Sequence, residues 1–491
     1  MRKYVLYLAL MILTLSLSAC GSASEEGAEE RAVEETVYEP HIIYEAETPE
    51  PIEAPPEPEP PARLISEPRI AIVRDFSSDA ALVLETVEGA HPIFVIDGML
   101  PEYYGERRAE FLAATAEPMS RTDFVLAVQR FFTTFRTAHM STHGLRDMSV
   151  TGVLQIFRDG GYIDERFELR GNRIFLYEEP GVEVIKIGGV AVADIIYQID
   201  RYYFFDNDAA RNLYVPGLVG YELMLRRAGA TIYSVPHQVI FHTEAVDLTL
   251  LENGETVVRE VRFPNASPAI AEMRENVDFI IRYEIIDDIF HIDLRSFTLG
   301  EHIDQAAEAI EQAIADGIWR FVIDLRSNGG GDSRVGTQLF AAMGINPARQ
   351  GVVRRNSELA IQQWQARGIN MESDQYIVEF QPWLYSENPN GVFLSVLTDT
   401  FSFSASPWFA AQVQDSGVGN VVGEPSGNSP TLFSDVLTVV LPDSQIQIRT
   451  PAALFMRPDA NADQRTVVPD IPVPAREAPG AALEFLLGLE R

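Results

Sequence analysis

Cysteine and lysine are almost absent from this sequence. Of its 491 residues one is a cysteine, Cys20, and two are lysines, Lys3 and Lys186. A single cysteine can form neither an intrachain disulfide nor a thiolate zinc site nor an iron–sulfur cluster. With only two lysines, the sequence has almost no candidate residue for Schiff-base chemistry, for a phosphate-loop lysine or for a serine–lysine dyad.

Positive charge is also scarce. The 38 Lys and Arg residues face 72 Asp and Glu residues, which gives a formal net charge of −34. A chain this acidic lacks the basic surface that a nucleic-acid-binding protein needs, so we expect no nucleic-acid partner. With 46% hydrophobic and 22% charged residues, the chain can bury large cores, and its length predicts two or three domains.

The first twenty residues predict a secretory signal. Arg2 and Lys3 precede an apolar run, residues 4–17, that is too short to span a bilayer comfortably. Small residues then precede Cys20, as in the lipobox of bacterial lipoproteins, where the cysteine is lipidated. An ordinary signal peptide with an incidental cysteine is the alternative. We expect an extracytoplasmic protein that meets the membrane only through a lipid anchor on Cys20.

Residues 21–67 predict a tether. They contain fourteen glutamates against two arginines, Arg31 and Arg63, and a proline-rich stretch. The glutamates repel one another, and the segment has little apolar surface to bury. We therefore expect an extended, disordered spacer that separates a folded domain from the membrane. An acidic interaction tail is the alternative.

The remaining sequence divides into three regions by its hydrophobic pattern. Residues 68–150 predict a helical N-terminal region. Residues 151–270 predict a β-rich accessory region. Residues 271–491 alternate between continuously apolar strands and amphipathic helices, which indicates an α/β core with a sheet covered on both faces.

Local signals place individual elements in the first two of these regions. Phenylalanine and valine recur at three- and four-residue spacing over 121–135, which predicts a helix capped by Thr122 or Asp123. A helical insert is expected near 193–225. The Asn-Gly pair at 253–254 lies between two alternating runs and predicts a hairpin.

A glycine-rich segment follows one of the buried strands. Residues 324–332 read DLRSNGGGD, and glycines at the exit of a strand let the backbone approach a ligand and direct N–H groups at it. Such a loop can hold a phosphate or a developing oxyanion, or it is a structural turn. The GxxxxGK[ST] and GxGxxG spacings are absent, which argues against nucleotide binding.

A serine cluster lies between a second buried strand and a helix. Residues 398–406 read TDTFSFSAS. A serine at this junction can expose its hydroxyl at the top of a sheet, and the next N–H, at the helix N-terminus, can stabilise negative charge. Taken alone, the cluster is more typical of a helix cap with neighbouring loop serines.

Four motifs occur together in one order: DLRSNGGG at 324–331, SAS at 404–406, VVGEPSG at 421–427 and VVPDIPV at 467–473. In this combination the sequence resembles the C-terminal-processing (tail-specific) peptidases and their tricorn-protease-like branch, over about 210 residues. The resemblance implies a Clp-protease/crotonase-like α/β peptidase core, polypeptide substrates, and a serine nucleophile at Ser404.

The general base of many family members has no equivalent here. Their lysine lies 25 positions after the serine, and Ser429 occupies that position in a core without lysine. Arginine is no substitute, because it stays protonated. In the tricorn-like branch the base is a histidine, and residues 135–142 resemble the segment that carries it, which implies His139. The segment departs from that pattern at Thr137, where an acid is common, and at Met140, where threonine is.

His139 and His143 also form an i, i+4 pair that could bind zinc from one face of a helix. The glutamate of the HExxH motif is missing, and Gly144 indicates that a helix would end there. We therefore expect no metal and no other cofactor.

The resemblance further implies an orienting acid and an oxyanion site. Counting back seven residues from the aspartate of VVPDIPV gives Asp463 as the acid, with Glu424 as the competing candidate. A solvated surface carboxylate is the plainer interpretation of each. The N–H groups of Gly330 or Gly331 and of Ala405 are expected to stabilise the oxyanion.

Residues 181–199 resemble part of a divergent PDZ-like module, and Lys186 there fits a structural strand position. Together these features predict a membrane-tethered, extracytoplasmic serine endopeptidase. The rival is a catalytically inactive relative that binds peptides or envelope proteins, because Thr137 and Ser429 replace expected catalytic types. The sequence carries no indication of an oligomeric state.

Overall fold

The computed structural model describes residues 64–65, 72–144, 161–237, 241–263, 279–368 and 376–490. The expected signal at 1–20, and the expected tether at 21–67 apart from two residues, lie outside the described residues. Residues 62–491 form one compact unit. None of the helices in the described part of the chain is both long and apolar enough to cross a bilayer.

The first described elements are mostly helical. They are β1 (Leu64–Ile65), β2 (Val73–Arg74), α1 (Ser77–Ala90), α2 (Tyr104–Ala114), β3 (Met119–Ser120), α3 (Arg121–Phe132) and β4 (Ser141–Gly144). The helix predicted over 121–135 continues past α3 as a 3₁₀ turn, Thr133–Phe135. Its cap is Ser120, whose Oγ accepts from the Asp123 N–H at 3.0 Å, rather than Thr122 or Asp123.

An antiparallel sheet and three helices follow. The elements are β5 (Phe167–Arg170), β6 (Arg173–Leu176), β7 (Glu183–Ile187), β8 (Val190–Ala191), α4 (Val192–Tyr202), α5 (Asp208–Val219), α6 (Glu222–Ala228), β9 (Tyr233–His237), β10 (Phe241–Glu252) and β11 (Glu255–Arg262). The strands pair in the order β1-β9-β10-β7-β6-β5, with β11 on β10 and β8 on β7. The predicted hairpin and helical insert are both present.

The described residues from 279 onward alternate between strands and helices. They form β12 (Ile281–Ile286), β13 (Ile289–Leu294), α7 (Glu301–Ala315), β14 (Arg320–Asp324), α8 (Arg334–Ala342), β15 (Gly351–Arg355), α9 (Glu358–Ala366), β16 (Ile377–Phe380), β17 (Phe393–Thr398), α10 (Ala405–Ser416), β18 (Gly419–Gly423), β19 (Leu432–Val440), β20 (Ile446–Met456), β21 (Ile471–Pro472) and α11 (Ala478–Leu487).

A six-stranded sheet organises this last region. Its order is β12-β13-β14-β17-β18-β21, and every pairing after the antiparallel β12–β13 pair is parallel. The central strands β14, β17 and β18 are buried on both faces, as their continuous apolar runs predicted: Phe321 and Val322, neighbours that point to opposite faces of the sheet, are both buried. The expected α/β core is confirmed. Since β14 and β17 are parallel neighbours, the loops that follow them leave the same edge.

A five-stranded sheet joins the helical N-terminal region to the C-terminal half of the chain. Its order is β16-β15-β20-β19, and β4 pairs antiparallel with β20, so that Ser141 lies opposite Arg449. Apolar side chains of α3, among them Phe124, share one core with Val353 and Ile446 of this sheet. The loop between α3 and β4 is thereby held against the C-terminal half of the protein.

Candidate active site

The glycine-rich loop leaves β14 at the carboxyl edge of the six-stranded sheet. Asn328, fully buried within it, donates from Nδ2 to the Leu294 carbonyl (2.7 Å) and accepts at Oδ1 from the Gly330 N–H (2.8 Å). Gly330 and Gly331 have φ angles of +89° and +141°, which side chains with a Cβ rarely adopt. One buried amide and two glycines therefore set the shape of the loop.

Ser404 occupies the turn between β17 and α10. Its φ of 57° and ψ of −111° lie in a region that non-glycine residues rarely adopt, at a cost of ~1–3 kcal/mol. The Asn428 side chain stabilises the turn, because its Oδ1 accepts from the Ser404 N–H at 2.7 Å. A strained serine at a strand-to-helix turn exposes its hydroxyl as a nucleophile must.

Hydrogen bonds and close packing join the glycine-rich loop to this turn. The Asn328 carbonyl accepts from the Phe403 N–H and from the Ser406 hydroxyl, both at 3.0 Å. Gly330 packs so tightly that a Cβ built on it would lie 2.6 Å from the Cβ of Ser404. The two motifs recognised separately in the sequence therefore form one unit.

His139 reaches this unit from the loop between α3 and β4. Its Nε2 lies 3.2 Å from Ser404 Oγ, and its ring stacks on Phe403 with the centroids 5.0 Å apart. The His139 N–H donates to Thr137 Oγ1 at 3.2 Å. The structure thus brings together the two residues that were expected to act as nucleophile and base, although 265 positions separate them.

Burial controls the protonation of His139. Desolvation, followed by the positive charge of Arg449, lowers the pKa of His139 to about 3. The imidazole is therefore neutral at pH 7, and a neutral ring nitrogen can accept the proton of a serine hydroxyl. The other ring nitrogen, Nδ1, is buried, and no group in the described part of the chain forms a hydrogen bond with it.

The structure does not bring either expected acid to His139. The Asp463 carboxylate accepts from the N–H groups of the second and third residues after it, at 2.7 and 3.2 Å, and so closes its own loop. Glu424 accepts from the Ala475 N–H at 2.9 Å and ties the end of β18 to the segment before α11. The expectation that Asp463 or Glu424 orients His139 is corrected accordingly.

Asp206, which the sequence analysis missed, connects the two halves of the site. Its side chain is buried, its Oδ1 accepts from the Ala138 N–H at 3.0 Å, and its Oδ2 accepts from Asn428 Nδ2. Because Ala138 precedes His139 and Asn428 holds Ser404, one carboxylate supports both reacting side chains. Desolvation raises the pKa of Asp206 to about 6. In the sequence the Asp-Asn-Asp run at 206–208 indicates only a helix start, and Asn207 does cap α5.

The structure favours two of the three N–H groups that were expected to stabilise the oxyanion. The Gly330 N–H is already used by Asn328. The N–H groups of Gly331 and Ala405 have no acceptor in the described part of the chain, and both residues line the same cavity as Ser404. Ala405 begins α10, where N–H groups lack intrahelical acceptors and the helix dipole favours negative charge. Gly331 and Ala405 are therefore the better-placed pair.

A cavity of about 690 Å³ opens beside Ser404 and His139, within the size range of small-molecule sites. Other residues singled out from the sequence lie elsewhere. Lys186 is exposed on β7, and the Ser429 hydroxyl donates to the Arg465 carbonyl at 2.9 Å. His143 is part of strand β4, so the helical zinc pair does not form, and the described residues contain no cluster of three potential metal-binding side chains.

Comparisons with known proteins give one family match and several structural matches. Residues 288–473 match the model of peptidase family S41. The structure of mature CPAF, 12% identical, aligns with a TM-score of 0.51 over 84% of this chain and 95% of that chain. The photosystem II D1 C-terminal processing protease is 14% identical, with a TM-score of 0.39 over 82% of this chain and 94% of that one. The tricorn protease is 11% identical and aligns with a TM-score of 0.34, over 84% of this chain and 35% of that chain.

No curated protein matches the chain significantly in sequence. The likeness to mature CPAF shows a shared fold. The family match covers the strands and loops that hold the glycine-rich segment and Ser404. Residues 288–473 of the chain are therefore similar to peptidase family S41, and the described residues share the fold of mature CPAF.

Proposed function

We propose that this protein is a membrane-tethered, extracytoplasmic serine endopeptidase that hydrolyses extended or unfolded polypeptides. The observation that carries the proposal is the 3.2 Å separation between His139 Nε2 and Ser404 Oγ, at a strained strand-to-helix turn. Beside it lie the N–H groups of Gly331 and Ala405, which have no acceptor among the described residues. A serine hydroxyl becomes a useful nucleophile only when such a base is within reach. The signal-like residues before Cys20 and the acidic spacer after it support the tethered location.

In the proposed reaction Ser404 Oγ attacks the carbonyl carbon of the scissile peptide bond while His139 Nε2 accepts the hydroxyl proton. The N–H groups of Gly331 and Ala405 donate to the oxyanion that forms. His139 then gives the proton to the leaving amine as the peptide bond breaks. In the second half of the reaction His139 takes a proton from water, which attacks the ester carbonyl of the acyl-enzyme, and Ser404 leaves with that proton. Asp206 acts as a positioning residue, since it holds the backbone beside His139 and the amide that binds the Ser404 N–H.

Labelling of the full chain with a fluorophosphonate probe tests the nucleophile. We expect stoichiometric labelling of the wild type and none of Ser404→Ala. His139→Ala should lower kcat/KM on an unfolded protein substrate by ~10³-fold or more, as loss of a triad base does. Lys186→Met is the control, and it should leave kcat/KM within about twofold because Lys186 is exposed on β7 and does not line the cavity.

Two outcomes would contradict this assignment. A folded wild type that does not label would favour the rival function, an inactive lipoprotein that binds peptides or envelope proteins. A loss of less than about tenfold in His139→Ala would mean that another group is the base.

The tether has its own test. In the native host, metabolic labelling with radioactive palmitate should mark the wild type and leave Cys20→Ala unlabelled and outside the membrane fraction. Palmitate on the variant would contradict the assignment of Cys20.

A further inference from the structure

The walls of the active-site cavity carry an excess of positive charge. Four arginines and two aspartates line the cavity, while His139 is neutral: Arg334, Arg354, Arg367, Arg449, Asp332 and Asp435. The two aspartates pair with two of the arginines, Arg334 with Asp332 at 2.5 Å and Arg354 with Asp435 at 2.7 Å. The other two guanidinium groups, those of Arg367 and Arg449, have no carboxylate partner in the described part of the chain, although the net charge of the protein is −34.

Arg449 is the more constrained of these two groups. It is partly buried on β20, and its side chain has no hydrogen-bond or ion-pair partner in the described part of the chain. Arg367 is exposed, and its Nη2 donates to the Val436 carbonyl at 3.4 Å. Burial, and then the charge of Arg367, lower the pKa of Arg449. An unpaired, partly desolvated guanidinium that also repels a second one is costly unless an anion binds between them.

The position of Arg449 relates it directly to the reaction. In the β4–β20 pairing Arg449 lies opposite Ser141, two residues beyond His139. Its charge reaches the ring, because it is the second cause of the depressed pKa of His139. An anion bound by Arg449 would sit beside the reacting atoms and would offset the charge that disfavours the imidazolium formed during catalysis.

We propose that the cavity is a specificity subsite for an acidic side chain, Asp or Glu, of the polypeptide substrate, bound by Arg449 and Arg367 close to the scissile bond. The proposal rests on the proposed endopeptidase function. An endopeptidase cuts within a chain, so the carboxylate is assigned to a side chain and not to a chain terminus. Guanidinium groups suit this ligand, because their planar N–H groups match the two oxygens of a carboxylate.

The experiment compares quenched fluorescent peptides with amidated C-termini, in which one Glu is moved through the positions flanking the scissile bond and each Glu peptide has a Gln twin. The wild type should cleave the Glu peptide with a kcat/KM at least ~10-fold above that of its twin at one position, the size expected for a charge-assisted hydrogen bond. In Arg449→Gln this ratio should fall towards one. In Arg449→Lys, which keeps the charge but loses the fork of donors, it should be intermediate.

The matched control is Arg476→Gln, which removes one positive charge from the exposed segment before α11, where Arg476 pairs with Glu477 at 3.3 Å. It should keep the wild-type ratio. A second measurement needs no variant: raising the salt concentration from about 0.05 to 0.5 M should reduce the Glu-to-Gln ratio of the wild type severalfold. Fluorophosphonate labelling of each variant checks that the site is intact.

The outcomes separate the subsite from the function on which it rests. If the wild type neither labels nor cleaves any peptide, the proposed function fails. If it cleaves both twins equally, or if Arg449→Gln keeps the full preference for Glu, the subsite proposal is overturned while the peptidase stands. A preference that requires a free C-terminal carboxylate, with no response to Glu, would also overturn the assignment to a side chain.

Discussion

At the scale of individual residues, one buried carboxylate, that of Asp206, supports the reacting pair of Ser404 and His139. In its ionised form Asp206 offers acceptor oxygens to the Ala138 N–H and to Asn428 Nδ2, and Asn428 can then present its own oxygen to the Ser404 N–H. These hydrogen bonds require both Asp206 oxygens to act as acceptors. A proton on Asp206 would turn an acceptor into a donor that faces another donor.

We therefore predict that Asp206→Asn lowers kcat/KM by ~10-fold or more, because the new amide places an NH₂ group against a donor. The pH profile is the sharper measurement. Since the pKa of Asp206 is raised to about 6 and that of His139 is lowered to about 3, the wild-type kcat/KM should decline as pH falls through about 6. The variant should lack this decline and keep its reduced kcat/KM down to more acidic pH.

Asp208→Asn is the matched control for that variant, because Asp208 is exposed in the first turn of α5. It should keep both the wild-type kcat/KM and the decline near pH 6. If the decline also persisted in Asp206→Asn, Asp206 would not be the group that titrates.

At the scale of elements, the site depends on the contact between the glycine-rich loop and the turn that begins α10. A Cβ on Gly330 would lie 2.6 Å from the Phe403 carbonyl oxygen and 2.8 Å from the Ala405 nitrogen. We predict that Gly330→Ala displaces the serine turn and slows fluorophosphonate labelling by ~10²-fold or more.

Gly317→Ala separates the steric effect from backbone strain. Gly317 has a φ of +93°, close to the +89° of Gly330, but an added Cβ there would meet nothing within 4 Å. Both variants should lose stability through strain, on the order of 1 kcal/mol, while only Gly330→Ala should lose labelling. Equal labelling rates in the two variants would show that the contact with Ser404 has no role in reactivity.

The limits of prediction from sequence also appear at this scale. The glycine-rich loop and the serine turn could be predicted because each follows its own strand within a few residues, and the strands are marked by continuous apolar runs. His139 could be named only through a family resemblance, because its position depends on the pairing of β4 with a strand about 300 residues later. Nothing local marked Asp206 or Arg449, whose roles arise from contacts between distant segments.

At the scale of the whole molecule, three parts of the chain build one site. His139 comes from the helical N-terminal region, Asp206 from the region of the antiparallel sheet, and Ser404 from the peptidase core. The same assembly buries titratable groups far from the reaction. His91 is fully buried, accepts at Nδ1 from the Ile93 N–H at 3.1 Å, and contacts the ring of Phe433 with centroids 4.6 Å apart.

These buried groups make stability depend on pH in a predictable direction. Desolvation, followed by the charge of Arg355, lowers the pKa of His91 to about 3, and His139 behaves alike. Between about pH 6.5 and 3 the unfolded chain therefore binds protons that the folded chain excludes, so stability falls as pH falls. Asp206, with its raised pKa, acts in the opposite sense between about pH 4 and 6. Among these three groups the two histidines outweigh the one carboxyl, so their combined effect is destabilisation in acid.

We predict that the melting temperature of the protein declines as pH is lowered from 6.5 to 4.5, by on the order of 1–2 °C per pH unit. His91→Asn should melt at a lower temperature at pH 7, because the smaller side chain leaves a gap, but its decline with pH should be shallower, since Asn can still accept from the Ile93 N–H without titrating. His302→Asn, at a partly exposed position on α7, is the control and should keep the wild-type slope. Parallel slopes for the wild type and His91→Asn would mean that acid destabilises the fold through groups other than this buried histidine.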